Sequence, residues 1–155
     1  MYTTKKAEQT KKLAAKLAKE ILSPPAGGGP HQKHARIIGL VGDLGAGKTT
    51  FTQGFAKALG IKRRMVSPTF LIFRTYPIPK LTTSNLKLTT FYHVDAYRIK
   101  KTAELKTLHF DKVLKNPKNI VVIEWADQIK KILPKDTIWI RFEHGSQEKE
   151  RKIHF

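Results

Sequence analysis

The chain's pattern predicts an α/β fold of three layers around a mixed, partly parallel central sheet. Three observations carry that expectation. Short apolar runs alternate with segments of helical spacing. One run, Ile37-Ile38-Gly39-Leu40-Val41, is nearly continuous, as befits a strand buried on both faces. A glycine-rich turn then joins that run directly to an amphipathic stretch, Thr50 to Leu59. With 155 residues, 40% of them hydrophobic and 27% charged, the chain can form one domain with a proper core. That domain is read as residues 1–155, with 1–30 forming an N-terminal helix and a Pro/Gly loop packed on it.

In chain order, residues 5–22 carry Leu13, Leu17 and Ile21 with Ala14 and Ala18 at i, i+4 spacing, opposite Lys5, Lys12, Lys16 and Lys19. Such a stripe either packs on the domain or meets a partner or membrane surface; the packing reading is the simpler. Pro24 to Pro30 is a loop by composition. After the strand at 37–41, Phe51, Phe55, Ala58 and Leu59 give a helix closed by Gly60. Further strands read at Phe70 to Tyr76, Leu88 to Val94, Asn119 to Glu124 and Thr137 to Glu143. A last strand, Glu150 to Phe155, pairs through a turn at Gly145-Ser146. Helical pieces read at Thr102 to Leu108 and Ala126 to Leu133.

The chemistry sits in Gly42-Asp43-Leu44-Gly45-Ala46-Gly47-Lys48-Thr49, which fits G-x-x-x-x-G-K-[ST], the phosphate-binding loop. Glycines at 42, 45 and 47 let backbone N–H groups approach phosphate oxygens with no Cβ in the way. The following helix adds the positive end of its dipole. Lys48 would bridge β- and γ-phosphates, and the Thr49 hydroxyl would ligate Mg²⁺. The fold class is thus narrowed to a P-loop NTPase-like sandwich. Such a loop also needs a carboxylate at the end of a neighbouring strand. Two are available: Glu124 after Ile120-Val121-Val122-Ile123, and Asp95 after Phe91-Tyr92-His93-Val94. If both strands run parallel to the first, the two acids emerge at the edge where open α/β sheets bind ligands. Which of them lies closer to the metal stays open.

Other residues read less sharply. A hydroxyl of Ser67-Pro68-Thr69 could sense the γ-phosphate or its Mg²⁺, as switch loops do, or the segment is a proline turn. Arg98 could stabilise transition-state charge or pair with Asp95. Trp125 reads as a packing anchor and His93 as a structural hydrogen-bonder. The chain has no cysteine, which removes disulfides, thiolate metal sites and cysteine nucleophiles, and without clustered histidines zinc is not supported. No apolar run reaches the roughly 18 residues of a membrane helix, and the basic start lacks an apolar signal region, so a cytoplasmic protein is expected. The net charge of +18 predicts attraction to polyanions, nucleic acid above all. A lysine-rich source composition would produce the same balance without any function.

Together, the run Gly42 to Phe51, then Ser67-Pro68-Thr69-Phe70, then His93-Val94-Asp95-Ala96-Tyr97-Arg98, then Ile123-Glu124-Trp125 resemble the TsaE family of small P-loop ATPases. The four motifs stand in family order and bracket roughly residues 4–155. The loop alone is shared by many NTPases; the set of four is specific. The resemblance implies binding of ATP and Mg²⁺, and hydrolysis by the isolated chain is expected to be slow because the active geometry needs its partners. It also implies association with the TsaD–TsaB pair, which installs threonylcarbamoyl on adenosine 37 of tRNAs reading ANN codons; the high charge favours some tRNA contact, direct or indirect. Carried over by motif, the loop from Gly42 to Thr50 holds the nucleotide, Lys48 contacts phosphates, Thr49 and Glu124 serve Mg²⁺, Asp95 matches the aspartate of H-x-D-x-Y-R, and Thr69 the switch-like threonine. The family's short strand before its first helix has only Met1 to Thr4 available here, and 24–30 and 78–88 are locally elaborated.

Rival classes have weaker support. A small-molecule kinase would need an acceptor site and an arginine-rich lid, and neither is evident. A GTPase would need D-x-x-G and N-K-x-D motifs, which are absent. A basic RNA-binding module with a regulatory nucleotide site fits the charge, but the chain has no RNP-type aromatic run.

Overall fold

The computed structural model describes residues 1–22, 33–68, 71–79 and 88–155. The loop at Pro24 to Pro30, Thr69, Phe70 and most of the segment from Ile78 to Leu88 lie outside the described residues. Seven strands form one sheet: β1 (Tyr2–Thr4), β2 (Arg36–Val41), β3 (Phe73–Pro77), β4 (Thr90–Asp95), β5 (Asn119–Glu124), β6 (Ile138–His144) and β7 (Arg151–His154). Their spatial order is β1-β7-β6-β2-β5-β4-β3. The four central strands β6, β2, β5 and β4 are parallel, and the β4–β3, β6–β7 and β7–β1 pairings are antiparallel. The expected mixed, partly parallel α/β sheet is therefore present.

Period-two alternation explains the layers. In β2 and β5, Ile38, Leu40, Ile120 and Val122 face one core with helix α1 (Ala7–Leu22) and helix α2 (Lys48–Ala58). Ile37, Val121 and Ile123 face a second core with α3 (Ala103–Thr107) and α4 (Phe110–Lys115). Phe51 and Phe55 of α2 are fully buried. Phe51 meets Phe142 of β6 edge-on, with ring centroids 5.6 Å apart, so truncating it to alanine would cost about 3–5 kcal/mol. Gly54 decides how closely α1 and α2 approach: a Cβ there would come within 2.5 Å of the Lys11 Cα. The stripe of residues 5–22 thus packs on the domain, with Leu13, Ala14, Leu17 and Ala18 buried.

Several boundaries differ from the sequence expectation. The strand expected from Phe70 to Tyr76 runs from Phe73 to Pro77, and the one expected from Leu88 to Val94 runs from Thr90 to Asp95. Their antiparallel register, Phe73 opposite Val94 and Pro77 opposite Thr90, sets both ends. The helix expected over 126–133 is a 3₁₀ segment, Ala126–Ile132, broken at Ile129, whose φ is −120°. Helix α4 was not expected at all; His109, at φ 51°, separates it from α3. Met1 to Thr4, the only residues available for the short leading strand, do supply it as β1. Among the described residues, no helix is long and apolar enough to cross a membrane.

Candidate functional site

Because β2, β5 and β4 are parallel, their C-terminal ends share one edge, and the register sets Asp95 beside Glu124 and Glu124 beside Leu40. The glycine loop leaves β2 at that same edge. Gly42 takes φ 144°, and any Cβ on it would run into the Phe142 carbonyl of β6, so the turn into the loop admits glycine alone. Gly45 and Gly47 also lie in the left-handed region, at φ 75° and 101°, and Gly47 precedes the first turn of α2. The first N–H groups of α2, including those of Thr49 and Thr50, have no intrahelical partner by helix geometry. The loop is held from outside by Arg151, whose Nε donates to the Gly45 carbonyl at 3.0 Å, and by His144, whose Nε2 lies 3.1 Å from the Leu44 carbonyl.

Lys48 folds back over its own loop. Its ammonium donates to the Gly42 and Asp43 carbonyls, the latter at 2.7 Å, and sits 3.8 Å from the centroid of a Trp125 ring. Burial lowers its pKa from the usual 10.5, opposed by the negative charges of Glu124, Asp43, Asp95 and Asp127. Trp125 adopts φ 59° directly after Glu124 and packs at 4.9 Å against the Tyr97 ring. The indole is thus a packing anchor, as expected, and also a wall of the site.

Glu124 is the best-fixed acid. It is 3% exposed. Thr49 Oγ1 donates to its Oε2 at 2.8 Å, and His93 Nε2 lies 2.7 Å from its Oε1. A carboxylate only accepts, so the imidazole N–H donates, and among the described residues His93 Nδ1 is left buried without a partner. The structural role expected for His93 therefore has a specific object: it fixes the carboxylate that Thr49 touches. Asp95 is held differently. Ser67 Oγ donates to its Oδ2 at 2.8 Å and the Tyr97 N–H to its Oδ1 at 3.0 Å.

These side chains line one cavity of about 340 Å³: Lys48, Thr49, Thr50, Ser67, Asp95, Tyr97, Glu124 and Trp125 with loop residues Leu44, Gly45 and Gly47. Arg98 stands outside that lining. A second cavity of about 510 Å³ opens across the loop, sharing Gly45, Gly47 and Thr50 and adding Lys5, Lys6, Thr10, Lys149 and Arg151. The first holds hard oxygen donors on Thr49, Glu124 and Asp95, the donor set that suits Mg²⁺. The second is cationic. Ser67 and Tyr97 gain their places from contacts with Asp95. Lys5, Lys6 and Arg151 are neighbours of the loop only because β1 pairs with β7.

A parallel strand, a glycine loop wrapped round its own lysine, a helix, and an acid ending the adjoining strand make this a P-loop NTPase-like α/β protein. A family model described as "Threonylcarbamoyl adenosine biosynthesis protein TsaE" matches residues 4–153, and the chain belongs to the TsaE family. It is 37% identical over 123 residues to the tRNA threonylcarbamoyladenosine biosynthesis protein TsaE of Bacillus subtilis, covering 79% of this chain and 70% of that protein. It is 36% identical over 144 residues to the protein of the same name from Rickettsia conorii, covering 92% of this chain and 70% of the relative. The crystal structure of YdiB from Bacillus subtilis superposes with a TM-score of 0.66 at 30% identity, covering 98% of this chain and 80% of that one.

Proposed function

We propose that this chain is the ATP-binding, slowly ATP-hydrolysing subunit that supports the TsaD–TsaB pair in threonylcarbamoylation of adenosine 37 in tRNA. The observation that carries the reading is the Thr49–Glu124–His93 chain: a loop hydroxyl and a buried carboxylate meet at 2.8 Å, and the carboxylate is locked from behind at 2.7 Å. A phosphate-loop protein needs that pairing for its metal.

In this reading the loop amides from Gly42 to Thr50 take the phosphates. The Lys48 ammonium exchanges the Gly42 and Asp43 carbonyls for phosphate oxygens, which are stronger, charged acceptors. Thr49 and Glu124 would hold Mg²⁺, which when bound would supply charge neutralisation for the phosphoryl group. Asp95, steadied by Ser67 and the Tyr97 amide, orients the attacking water. Thr69 would contribute a switch hydroxyl. The cationic cavity at Lys5, Lys6 and Arg151 takes the rest of the nucleotide on the far side of the loop. Most of the rate then comes from electrostatic positioning.

The test is nucleotide binding with and without Mg²⁺, comparing ATP, ADP and GTP on the wild type and Lys48→Ala. Mg²⁺-dependent ATP binding lost in the variant supports the reading and warrants reconstitution with TsaD and TsaB. Equal affinity in both proteins overturns it.

A further inference from the structure

Between Asp43 and Asp95 the sequence contains no acidic residue, yet it carries Lys57, Lys62, Arg63 and Arg64 in quick succession. The fold gathers these four into one groove of about 550 Å³, lined also by Gln53, Ala56, Ile61 and Met65. Gly60, at φ 79°, turns the chain at the end of α2. The Leu59, Gly60 and Ile61 amides bond back to carbonyls of the last helical turn, and Gln53 Nε2 donates to the Met65 carbonyl at 3.3 Å. Residues 61–65 are thereby laid back along α2, with Ile61 and Met65 buried and Lys62, Arg63 and Arg64 exposed. Among the described residues, none of the four cations has an anionic partner. The helix dipole accounts for Lys57, in the last turn of α2. It does not account for three further consecutive cations beyond the helix end.

We propose that this groove docks the phosphate backbone of RNA. Four unpaired cations on a built, apolar-floored groove offer a polyanion counterion release without breaking any internal ion pair. Two are arginines, whose forked guanidinium matches phosphate oxygens. Among the described residues the lining has no aromatic ring, so the contact proposed tracks backbone and reads no bases. RNA is favoured over an acidic protein because the chain belongs to a tRNA-modification family, and the inference rests on that membership rather than on ATP hydrolysis. The groove lies at the end of α2 opposite the glycine loop. Helix α2 is only about 16 Å long at 1.5 Å per residue, and three residues past Arg64 the same strand of chain supplies Ser67, which holds Asp95.

The experiment is fluorescence anisotropy of a labelled, unmodified tRNA transcript titrated with full-length protein between 50 and about 300 mM salt. Arg63→Gln/Arg64→Gln is compared with Lys106→Gln/Lys112→Gln, which removes equal charge from exposed positions on α3 and α4 in the opposite layer. The groove variant should bind on the order of 10- to 100-fold more weakly near 0.1 M salt, with the slope of log affinity on log salt flattened by about 2. The opposite-layer variant should stay near the wild type. Equal weakening in both variants would reduce the binding to general charge and overturn the assignment. So would polyglutamate competing as well as RNA with the same dependence on Arg63 and Arg64, since the groove would then be a dock for acidic protein. Mg²⁺-dependent ATP binding measured on the same samples separates the two proposals. It should survive in the groove variant, and its failure to respond to Lys48→Ala would count against the ATP reading alone.

Discussion

Replacing His93 by leucine should lower folding stability by about 3 kcal/mol. The imidazole is fully buried and its Nε2 is the hydrogen-bond donor to Glu124 Oε1, on a carboxylate whose side chain is only 4% exposed. Removing it deletes a bond to a charged group and strands an oxygen of a carboxylate that is only 4% exposed; breaking one partner of such a pair costs about 3–5 kcal/mol. Leucine offsets part of this, because it fills the ring's volume and removes the unpartnered Nδ1. For a chain this size, about 3 kcal/mol corresponds to a melting temperature lower by roughly 6–12 °C. The sharper test is a cycle with Glu124→Leu. Each single change orphans a buried group, whereas the double replaces the pair by two apolar side chains and should return to within about 1 kcal/mol of the wild type. Urea unfolding followed by circular dichroism measures all four proteins. If the two single costs simply add in the double, with coupling below about 0.5 kcal/mol, the buried pair is not the interaction described.

Other expectations follow from the same geometry. Lys48 is held below its ordinary pKa by burial, so the unfolded chain binds more protons between that lowered value and 10.5; stability should rise with pH across that window, and the rise should vanish in Lys48→Met, read by urea midpoints at successive pH values. Gly54→Ala places a methyl against the Lys11 backbone and should cost about 1–3 kcal/mol, with faster amide exchange in α1. Asp95→Asn should reduce ATP turnover at least tenfold while leaving ATP affinity within about twofold if, as proposed, the residue orients water rather than phosphate; a loss confined to affinity would contradict that role.

The parts of the fold legible beforehand were those with strong local signals. Strands β2 and β5 are buried on both faces and read as unbroken apolar runs, and the loop between β2 and α2 carries its glycines where positive φ is needed. Helix α4 escaped because six residues with Phe110 and Leu114 as its buried positions are too short for a period to emerge. The 3₁₀ segment after Trp125 has helical spacing, and its break at Ile129 has no counterpart in composition. Within the site, Lys48, Thr49, Asp95 and Glu124 were readable from motifs, and the cavity does bring them together. The partnership of His93 with Glu124 was not, because it crosses between β4 and β5, where the register sets His93 opposite Val122 instead. The cationic side of the loop was equally hidden, for it depends on a pairing between the two most distant strands of the chain.

That pairing has a consequence in time. Thr4 lies opposite Arg151, so β1 cannot take its place in the sheet until the last strand described has been made. During synthesis the glycine loop and α2 can form while β1 still waits, and the wall of Lys5 and Lys6 cannot close beside Gly45 until Arg151 has emerged to hold that loop. Contacts spanning so much chain are slow to close. A nascent chain would therefore pass through a stage with its glycine loop built and the cationic wall beside it missing, and translation reaching β7 is the event that ends it.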